Sequence, residues 1–259
     1  MLPLYQMLDT QIIGETIALV AFNRPEAANA LNAQMALELK DFFNRIHPFY
    51  TTILTGRGKH FCAGADLRER QGMDEAAWYT QHQAFEGALH AILNCPAPII
   101  AAVNGAAIGG GLELALACDF IYASEHAIFA FSEATLGIMP GLGGTQTFPR
   151  AVGSRRAKEY LFTGKKFSAA DALQWGMVNR VCTPEKLLDE TTACAHIIAA
   201  NAPLSVKAIK QVVNKGIALP LHDALPCELA HYRPLLSTHD RKEGIDAFNE
   251  KRKAVFRGE

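Results

Sequence analysis

The feature of this sequence that most constrains its fold is a long segment without charge. No Asp, Glu, Lys or Arg occurs between Gly87 and Leu112, a length that is sufficient to span a bilayer. Pro96 and Pro98 interrupt any helix through it, because proline lacks an amide proton and clashes with the preceding turn. The segment therefore predicts the buried centre of a water-soluble fold. A helix ends at the prolines, a buried strand follows at Ile99–Val103, and a glycine-rich loop then opens a second helix.

The composition is typical of a globular protein with its own core. The chain has 259 residues, of which 49% are hydrophobic and 20% charged, and this excludes a disordered protein. Its 25 basic and 26 acidic side chains nearly cancel. A near-neutral charge argues against a protein that binds nucleic acid or anionic lipid, so we expect no nucleic-acid partner and no membrane partner.

Cysteine usage and the first residues predict a cytoplasmic protein. The six cysteines form no C-x-x-C pair, and in a chain of this length they are typical of reduced, buried thiols. Met1–Gln11 has neither a secretory nor a transit-peptide pattern.

Periodicity predicts strands that alternate with helices, followed by a helical C-terminal part. The individual predictions are a hairpin over 12–22 with its turn at Gly14–Glu15; a helix capped by Asn32 with Met35, Leu39, Phe42, Phe43 and Ile46 on one face; a strand at Thr51–Leu54 that ends at Gly56; a helix lined by Trp78, Phe85, Leu89, Ile92 and Leu93; a helix at Leu112–Cys118; strands at Phe120–Ala123 and Ala127–Phe131; a helix with a Ser168/Asp171 capping box that ends at Gly176; and helices from Pro184 onward. This order predicts the α/β class.

Common cofactor and metal motifs are absent from the sequence. There is no G-x-x-x-x-G-K-[ST], G-x-G-x-x-G, G-x-S-x-G or H-E-x-x-H, and the nine histidines show no i, i+4 pair. We therefore expect no metal and no nucleotide or redox cofactor.

Two glycine-rich loops each follow a predicted strand. They are Cys62–Leu67 and Asn104–Gly111. Glycine lets a backbone approach a ligand closely, and two such loops could aim two amides at one oxygen and so stabilise an oxyanion. For either loop alone, tight packing or an ordinary turn is the preferred explanation. The second loop also opens a helix, where free amides favour negative charge.

Two glutamates stand in apolar surroundings near these loops. Glu113 lies among leucines and alanines, and strand alternation would place Glu133 on the side of Phe129 and Phe131 if the strand continues that far. A carboxylate on an apolar face is paired or has a raised pKa, which suits proton transfer near neutrality. The simpler alternatives are that Glu113 is a first-turn glutamate stabilised by the helix dipole and that Glu133 is a solvated glutamate at the end of a strand. A third loop, over 137–145, could hold a water or a substrate.

Taken together, these segments resemble the crotonase, or enoyl-CoA hydratase/isomerase, family along essentially the whole chain. The matching motifs are Phe22–Leu31, Phe61–Leu67, Asn104–Leu114, Leu136–Gln146 and Ala247–Arg252. The resemblance implies a spiral of ββα units over residues 1–200, which holds the CoA-thioester site. It also implies a C-terminal helical region over 201–259 that forms homotrimers or dimers of trimers.

The resemblance also implies a role for individual residues. The amides of Ala63 and Gly110 would form the oxyanion hole, Glu113 and Glu133 would hold a water, and Gly141 would help to fix it. The implied thioester and CoA contacts within the chain are Ala28, Ala63, Gly64, Ala65, Asp66, Leu67 and Gly110. Phe248 and Lys251 would reach a CoA bound at a neighbouring subunit.

The implied reaction is the addition of water across C2=C3 of a 2-trans-enoyl-CoA to give a 3-hydroxyacyl-CoA. Two carboxylates around one water can do this without a cofactor, and two amides can hold the charge on the thioester oxygen. The family's isomerases generally lack the glutamate pair, so hydration is favoured over a double-bond shift.

Other activities remain open at this point. An isomerase, another thioester reaction and an inactive binding protein of the same fold, for example one that binds RNA, are alternatives. The last rests on two sets of basic side chains, Arg155, Arg156, Lys158, Lys165 and Lys166, and Lys251, Arg252 and Lys253. Within the family, the motifs resemble short-chain or methylglutaconyl-CoA-type hydratases most. Ser132 and Thr147 stand where many members have proline and arginine, and they leave the acyl preference open.

Overall fold

The computed structural model of the protein describes residues 3–45 and 49–259, in which strands and helices alternate before a helical C-terminal part. The strands are β1 (Leu8–Ile13), β2 (Ile17–Phe22), β3 (Thr51–Gly56), β4 (Ile99–Val103), β5 (Ala107–Ile108), β6 (Phe120–Ser124), β7 (Ile128–Ala130), β8 (Phe167–Ser168) and β9 (Arg180–Cys182). The helices are α1 (Ala33–Asn44), α2 (Leu67–Arg70), α3 (Glu75–Asn94), α4 (Gly110–Ala117), α5 (Gly144–Val152), α6 (Ser154–Thr163), α7 (Ala169–Gln174), α8 (Leu187–Ala199), α9 (Pro203–Gly216), α10 (Leu221–Tyr232) and α11 (His239–Glu250).

The larger sheet has the strand order β1-β2-β3-β4-β6-β9. The predicted hairpin of β1 and β2 is antiparallel, and every following neighbour pair is parallel. Strands β2, β3 and β4 are buried along their whole length, because helices cover both faces of a parallel sheet. The charge-free segment supplies β4, at the centre of this sheet, as predicted.

A smaller sheet with the order β5-β7-β8 lies beside the candidate site. Strand β5 pairs in parallel with β7, and β7 pairs antiparallel with β8. An isolated bridge between Cys62 and Ala107 joins the first glycine-rich loop to this sheet. The second glycine-rich loop contains β5, so the two loops are held side by side.

Helices α1 and α3 pack together and flank the main core. The Asn32 side chain accepts a hydrogen bond from the Met35 amide, as an N-cap does, and Leu39 and Phe42 are buried on the predicted face. Ile46, predicted on that face, lies outside the described residues. Helix α3 ends at Asn94, before the prolines that were predicted to stop it.

The C-terminal helices carry apolar side chains on their surface. Ile209, Val213, Leu229 and Tyr232 are all at least 49% exposed on α9 and α10. The end of the chain is fastened by the buried carboxylate of Asp240, which accepts hydrogen bonds from two amides, those of Arg257 and Gly258. The predicted boundary between the spiral core, residues 1–200, and the C-terminal helical region, residues 201–259, stays a prediction.

Across residues 3–45 and 49–259, the helices are too short or too polar for any of them to cross a bilayer.

Candidate active site

The two glycine-rich loops are pressed together at the centre of the site. The Ile108 amide donates to the Cys62 carbonyl at 3.0 Å. A β-carbon at position 111 would lie 2.1 Å from that same carbonyl oxygen, which no real contact allows. The close approach of the two loops therefore requires a glycine at position 111.

Hydrogen bonding decides which amides of the first loop are available to a ligand. The Ala63 amide donates to the Ala28 carbonyl at 3.1 Å, and the Asp66 amide donates to the Leu31 carbonyl at 2.9 Å. The prediction that the Ala63 amide belongs to an oxyanion hole is therefore wrong, because the backbone of the preceding segment already uses it.

The Ala65 amide, which lies between those of Ala63 and Asp66, is placed differently. Within the described part of the chain, neither the Ala65 amide nor the Gly110 amide has a hydrogen-bond acceptor. A β-carbon at Gly110 would lie 3.7 Å from the Ala65 nitrogen, so the two amides are neighbours. Gly110 is the first residue of α4, where the helix leaves its amides unpaired and favours negative charge. Ala65 and Gly110 form the pair of free donors at this site.

Glu113 is held in the first turn of α4 and is only 2% exposed. Its Oε1 accepts hydrogen bonds from the Leu142 amide at 2.7 Å and from the Gly144 amide at 2.8 Å. Burial raises the pKa of Glu113 to about 7, the two amides oppose this rise, and the charge of Glu133 adds to it. The carboxyl group is thus fixed in orientation and can change protonation state near neutral pH.

The backbone conformation at Glu133 differs from the predicted extended strand. Strand β7 ends at Ala130, and Glu133 opens a 3-10 helix that runs to Leu136. The strand-alternation argument is therefore wrong, although its conclusion holds: Glu133 is 9% exposed. Among the described residues, none forms a hydrogen bond with its buried Oε2, and burial raises the pKa of Glu133. A buried carboxyl oxygen without a partner is costly for the folded state.

A cavity of about 140 Å³ joins these elements. Both glutamates line it together with Ala63, Gly64, Ala65 and Gly110. The rest of the lining includes side chains that the sequence did not single out as site residues, namely Arg70, Trp78, His82, Phe85 and Leu136, and also Ile138 and Met139 of the predicted third loop. The cavity thus has a polar end with two carboxyls and two amides and a mainly apolar wall.

The predicted third loop contributes backbone groups to the same end. Gly141 lines the cavity, and a β-carbon there would lie 3.1 Å from the His82 ring. The amides that bind Glu113 are those of Leu142 and Gly144. Sequence reasoning missed these two, although the glycine-rich pattern of the loop was a signal that its amides are accessible. The predicted water contact of Gly141 stays a prediction.

The other predicted residues divide into three groups. Leu67 lines the cavity, as do Gly64 and Ala65. Asp66 caps α2 by accepting from the Arg68 amide, and it forms a salt bridge with Arg24 at 3.0 Å, so its carboxylate has a structural role. Ala28 is outside the cavity lining and supports the loop through its carbonyl.

Phe248 and Lys251 also lie outside the cavity lining of this chain. Phe248, on α11, is 83% exposed, and Lys251 follows the end of that helix with a left-handed backbone. Their predicted contact is with a neighbouring subunit and stays a prediction.

Residues 3–45 and 49–259 contain no cluster of three His, Cys, Asp or Glu side chains arranged to hold a metal ion. The expectation that the reaction needs no cofactor stays a prediction.

Comparison with known proteins gives one consistent result. The family model described as enoyl-CoA hydratase/isomerase matches residues 13–259. A Bacillus subtilis (strain 168) protein named as an enoyl-CoA hydratase/isomerase is 42% identical over 249 residues, covering 95% of this chain and 96% of that protein. Crotonyl-CoA hydratase of Syntrophomonas wolfei is 39% identical over 246 residues, covering 93% of this chain and 95% of that protein. The crystal structure of enoyl-CoA hydratase from Bacillus anthracis matches with a TM-score of 0.95 at 38% identity, covering 98% of this chain and 100% of that chain. The predicted fold, an α/β spiral with C-terminal helices, is confirmed.

Proposed function

This chain belongs to the enoyl-CoA hydratase/isomerase family, and from that premise we propose that it hydrates 2-trans-enoyl-CoA thioesters to 3-hydroxyacyl-CoA. The observation that carries the proposal is the pair of buried glutamates, Glu113 and Glu133, that line one cavity beside two free amides. Relatives of similar length bear the names of enoyl-CoA hydratases, which supports the same reaction.

The two carboxyl groups are suited to opposite proton steps. Glu113 is anchored through Oε1, so its Oε2 is left for a water. As a carboxylate it takes a proton from that water while the oxygen forms a bond to C3. The π electrons of C2=C3 move toward the thioester carbonyl, and Glu133 in its acid form delivers a proton to C2. Burial raises the pKa of Glu113 to about 7 and also raises the pKa of Glu133, and carboxyl groups with raised pKa values are suited to proton transfer near neutral pH.

The amides of Ala65 and Gly110 are the groups that would hold the charge on the thioester oxygen. Hydrogen bonds that strengthen as the oxygen becomes negative lower the barrier without stabilising the substrate equally. The backbone bonds of Ala63 and Asp66 on either side fix the Ala65 amide, and the start of α4 fixes the Gly110 amide. This replaces the Ala63 amide of the sequence-based prediction.

Assembly and cellular role are further parts of the proposal. We expect a homotrimer, or a dimer of trimers, in which the exposed apolar faces of α9 and α10 meet other copies. Phe248 and Lys251 would then contact the CoA of a neighbouring subunit. We place the protein in the cytoplasm and in fatty-acid β-oxidation or a related acyl-CoA pathway.

A direct assay tests the proposal. Incubation with crotonyl-CoA should remove the absorbance of the conjugated enoyl thioester, and mass spectrometry should detect a product heavier by one water. Loss of absorbance without gain of water would indicate a double-bond shift. Absence of any change with crotonyl-CoA and with longer enoyl-CoAs would overturn the proposal.

A further inference from the structure

Two consecutive residues in the segment before α1 adopt a left-handed backbone. Among the described residues other than glycine, φ is positive at Ala28 (50°), Asn29 (55°) and Lys251 (54°). This conformation is unfavourable for a residue with a β-carbon and persists only where the surroundings hold it. Asn29 is also completely buried, with 0% of its surface exposed. The pair at 28 and 29 is therefore held in place by contacts with the rest of the fold.

The Asn29 side chain makes three hydrogen bonds, and they join two segments of the chain. Its Oδ1 accepts from the Arg24 amide at 2.9 Å. Its Nδ2 donates to the Arg57 carbonyl at 2.9 Å and to the His60 carbonyl at 2.7 Å. A β-carbon at Gly56 would lie only 2.8 Å from this Nδ2, so the chain that leaves β3 closes tightly around the side-chain amide. Asn29 thus ties the segment before α1 to the segment that leads from β3 into the first glycine-rich loop.

The carbonyl next to Asn29 in the chain holds the same loop. The Ala28 carbonyl accepts from the Ala63 amide at 3.1 Å. Because residues 28 and 29 are adjacent, the carbonyl of one and the side chain of the other fix the loop at two nearby points, Ala63 and His60. The left-handed backbone at 28 and 29 is thus part of one connection between the two segments.

A parallel bridge between Leu31 and Ala65 continues this connection. The Leu31 amide donates to the Gly64 carbonyl at 2.8 Å, and the Leu31 carbonyl accepts from the Asp66 amide at 2.9 Å. In such a bridge, the residue whose two neighbours are bonded turns its own amide to the other side. This pattern explains why the Ala65 amide, which has no acceptor among the described residues, lies beside the Gly110 amide.

We propose that Asn29 is a positioning residue that aims the Ala65 amide at the thioester oxygen. By tying the segment before α1 to the His60 carbonyl, it sets the register of the bridge between Leu31 and Ala65 and so the direction of that amide. Asn29 is outside the cavity lining, so it acts on the substrate only through the loop. Groups that stabilise a transition state must be held to within about 0.5 Å of the productive geometry. This inference rests on the proposed hydratase function and adds to it a residue remote from the reacting atoms.

A different explanation of Asn29 is its backbone conformation alone. Asparagine adopts the left-handed region more readily than most residues, so it would then be required only for its φ angle. Two substitutions separate these explanations. Asn29→Gly keeps the left-handed region accessible and removes all three side-chain hydrogen bonds. Asn29→Asp keeps the shape and the bond from the Arg24 amide, and it loses the bonds to the two carbonyls because a carboxylate has no hydrogen to donate.

The test measures the hydrogen bonds to the thioester oxygen directly, together with the rate. Butyryl-CoA labelled with carbon-13 at the thioester carbon has the length of crotonyl-CoA but no double bond, so it binds without being hydrated. Hydrogen bonds from two amides lower the stretching frequency of its carbonyl, and isotope-edited infrared difference spectroscopy records this shift. We expect both Asn29 variants to show a smaller shift than wild type. Their kcat with crotonyl-CoA should fall by at least about 10-fold, while the dissociation constant of butyryl-CoA stays within a few-fold of wild type.

Thr51→Val is the matched control for the loss of a buried hydrogen bond. Thr51 is 0% exposed, and its Oγ1 donates to the Pro98 carbonyl at 3.1 Å. It lies at the start of β3, the end of the strand that is remote from the glycine-rich loop. This variant should unfold at a lower urea concentration than wild type and keep the wild-type kcat and carbonyl frequency. The control therefore separates a loss of stability from a change in the direction of the Ala65 amide.

The possible failures of the two proposals differ in what they show. A wild-type carbonyl shift and kcat in Asn29→Gly overturn the positioning role and leave the hydratase function intact. The same conclusion follows if neither Asn29 variant folds, because the residue then supports the whole fold rather than the direction of one amide. Failure of the wild-type protein to hydrate any enoyl-CoA overturns the proposed function, and the infrared shift, which needs no turnover, then decides the role of Asn29 by itself.

Discussion

The amide of Gly144 donates a 2.8 Å hydrogen bond to Glu113 Oε1, and no room remains between these two residues for a side chain at position 144. A β-carbon there would lie 3.0 Å from Glu113 Oε1 and 2.6 Å from the ring of Phe131. The glycine therefore lets the start of α5 reach a buried carboxyl group and fix its direction. The orientation of the candidate general base depends on backbone that lies 31 residues further along the chain.

We predict that Gly144→Ala lowers kcat by at least about 10-fold, with a smaller effect on thioester binding. The methyl group must displace either Glu113 or Phe131, and a small misplacement of a catalytic group has a large effect on rate. Steady-state kinetics with crotonyl-CoA would measure it. Gly216→Ala is the matched control, because its β-carbon would meet only the Ala224 methyl group at an ordinary 3.6 Å. Equal kcat in the two variants would contradict the positioning role.

The sequence predicted most of the fold because its local signals agree with one another. Asn32, the Ser168/Asp171 capping box and the prolines at 96 and 98 all act where they were expected. The buried strand at Ile99–Val103 follows from its lack of charge. Each of these features depends on residues that are close in the sequence, so helix ends and buried strands can be predicted from one sequence alone.

The site was predicted less completely because it depends on contacts between distant segments. Both glutamates and Gly110 were identified, but the Ala63 amide was assigned a role that belongs by geometry to Ala65. That difference depends on the carbonyl of Ala28, which lies in another loop. Arg70 lies in a charged run that is typical of an exposed helix face. Its place in the cavity lining depends on the tertiary fold.

Stability should depend on pH through Glu113. Its pKa is about 7 in the folded protein against an ordinary value of 4.5, so the folded state binds this proton more tightly than the unfolded state. The stabilisation from the protonated form is complete below about pH 4.5 and is lost as the pH rises to about 7. The difference amounts to on the order of 3 kcal/mol.

Glu113→Gln removes this ionisation and should therefore change the pH profile. We predict that the variant unfolds at similar urea concentration to wild type at pH 5 and at clearly higher concentration at pH 8. Glu125→Gln, an exposed glutamate, should follow the wild-type profile at both pH values. Parallel profiles for wild type and Glu113→Gln would show that burial does not raise the pKa of this group.

The C-terminal helices should mediate assembly. Ile209 is 63% exposed on α9, and Ile209→Glu places a charge where we expect an apolar contact between subunits. Light scattering should give a trimer-based mass for wild type and a smaller mass for the variant, while Ile12→Glu on strand β1 should keep the wild-type mass. A wild-type monomer at micromolar concentration would contradict the assembly and also the cross-subunit role of Phe248.

Activity should survive exhaustive chelation. The proposed proton steps use only carboxyl and amide groups of the chain, so treatment with EDTA followed by gel filtration should leave kcat unchanged. Loss of activity that a divalent metal ion restores would be incompatible with this account.

The central claim is that Glu113 and Glu133 act on one water and one substrate, and substitution by glutamine tests it with little change in shape. General acid–base catalysis is typically worth about 10²–10⁴-fold. Each single variant should therefore lose at least about 10²-fold in kcat with crotonyl-CoA. The double variant should lose less than the product of the two single losses, because both groups serve the same event. Glu125→Gln is the surface control.

The most direct measurement is the incorporation of solvent deuterium at C2 of the thioester. It is made in these variants together with the rate of hydration. If Glu133 delivers the proton to C2 and Glu113 activates the water, Glu133→Gln should lose deuterium incorporation together with hydration, by at least about 10²-fold. Near-normal turnover in both single variants, with only their stability altered, would contradict a catalytic role for the pair. Incorporation at the wild-type rate in Glu133→Gln would contradict the assignment of the C2 proton to Glu133.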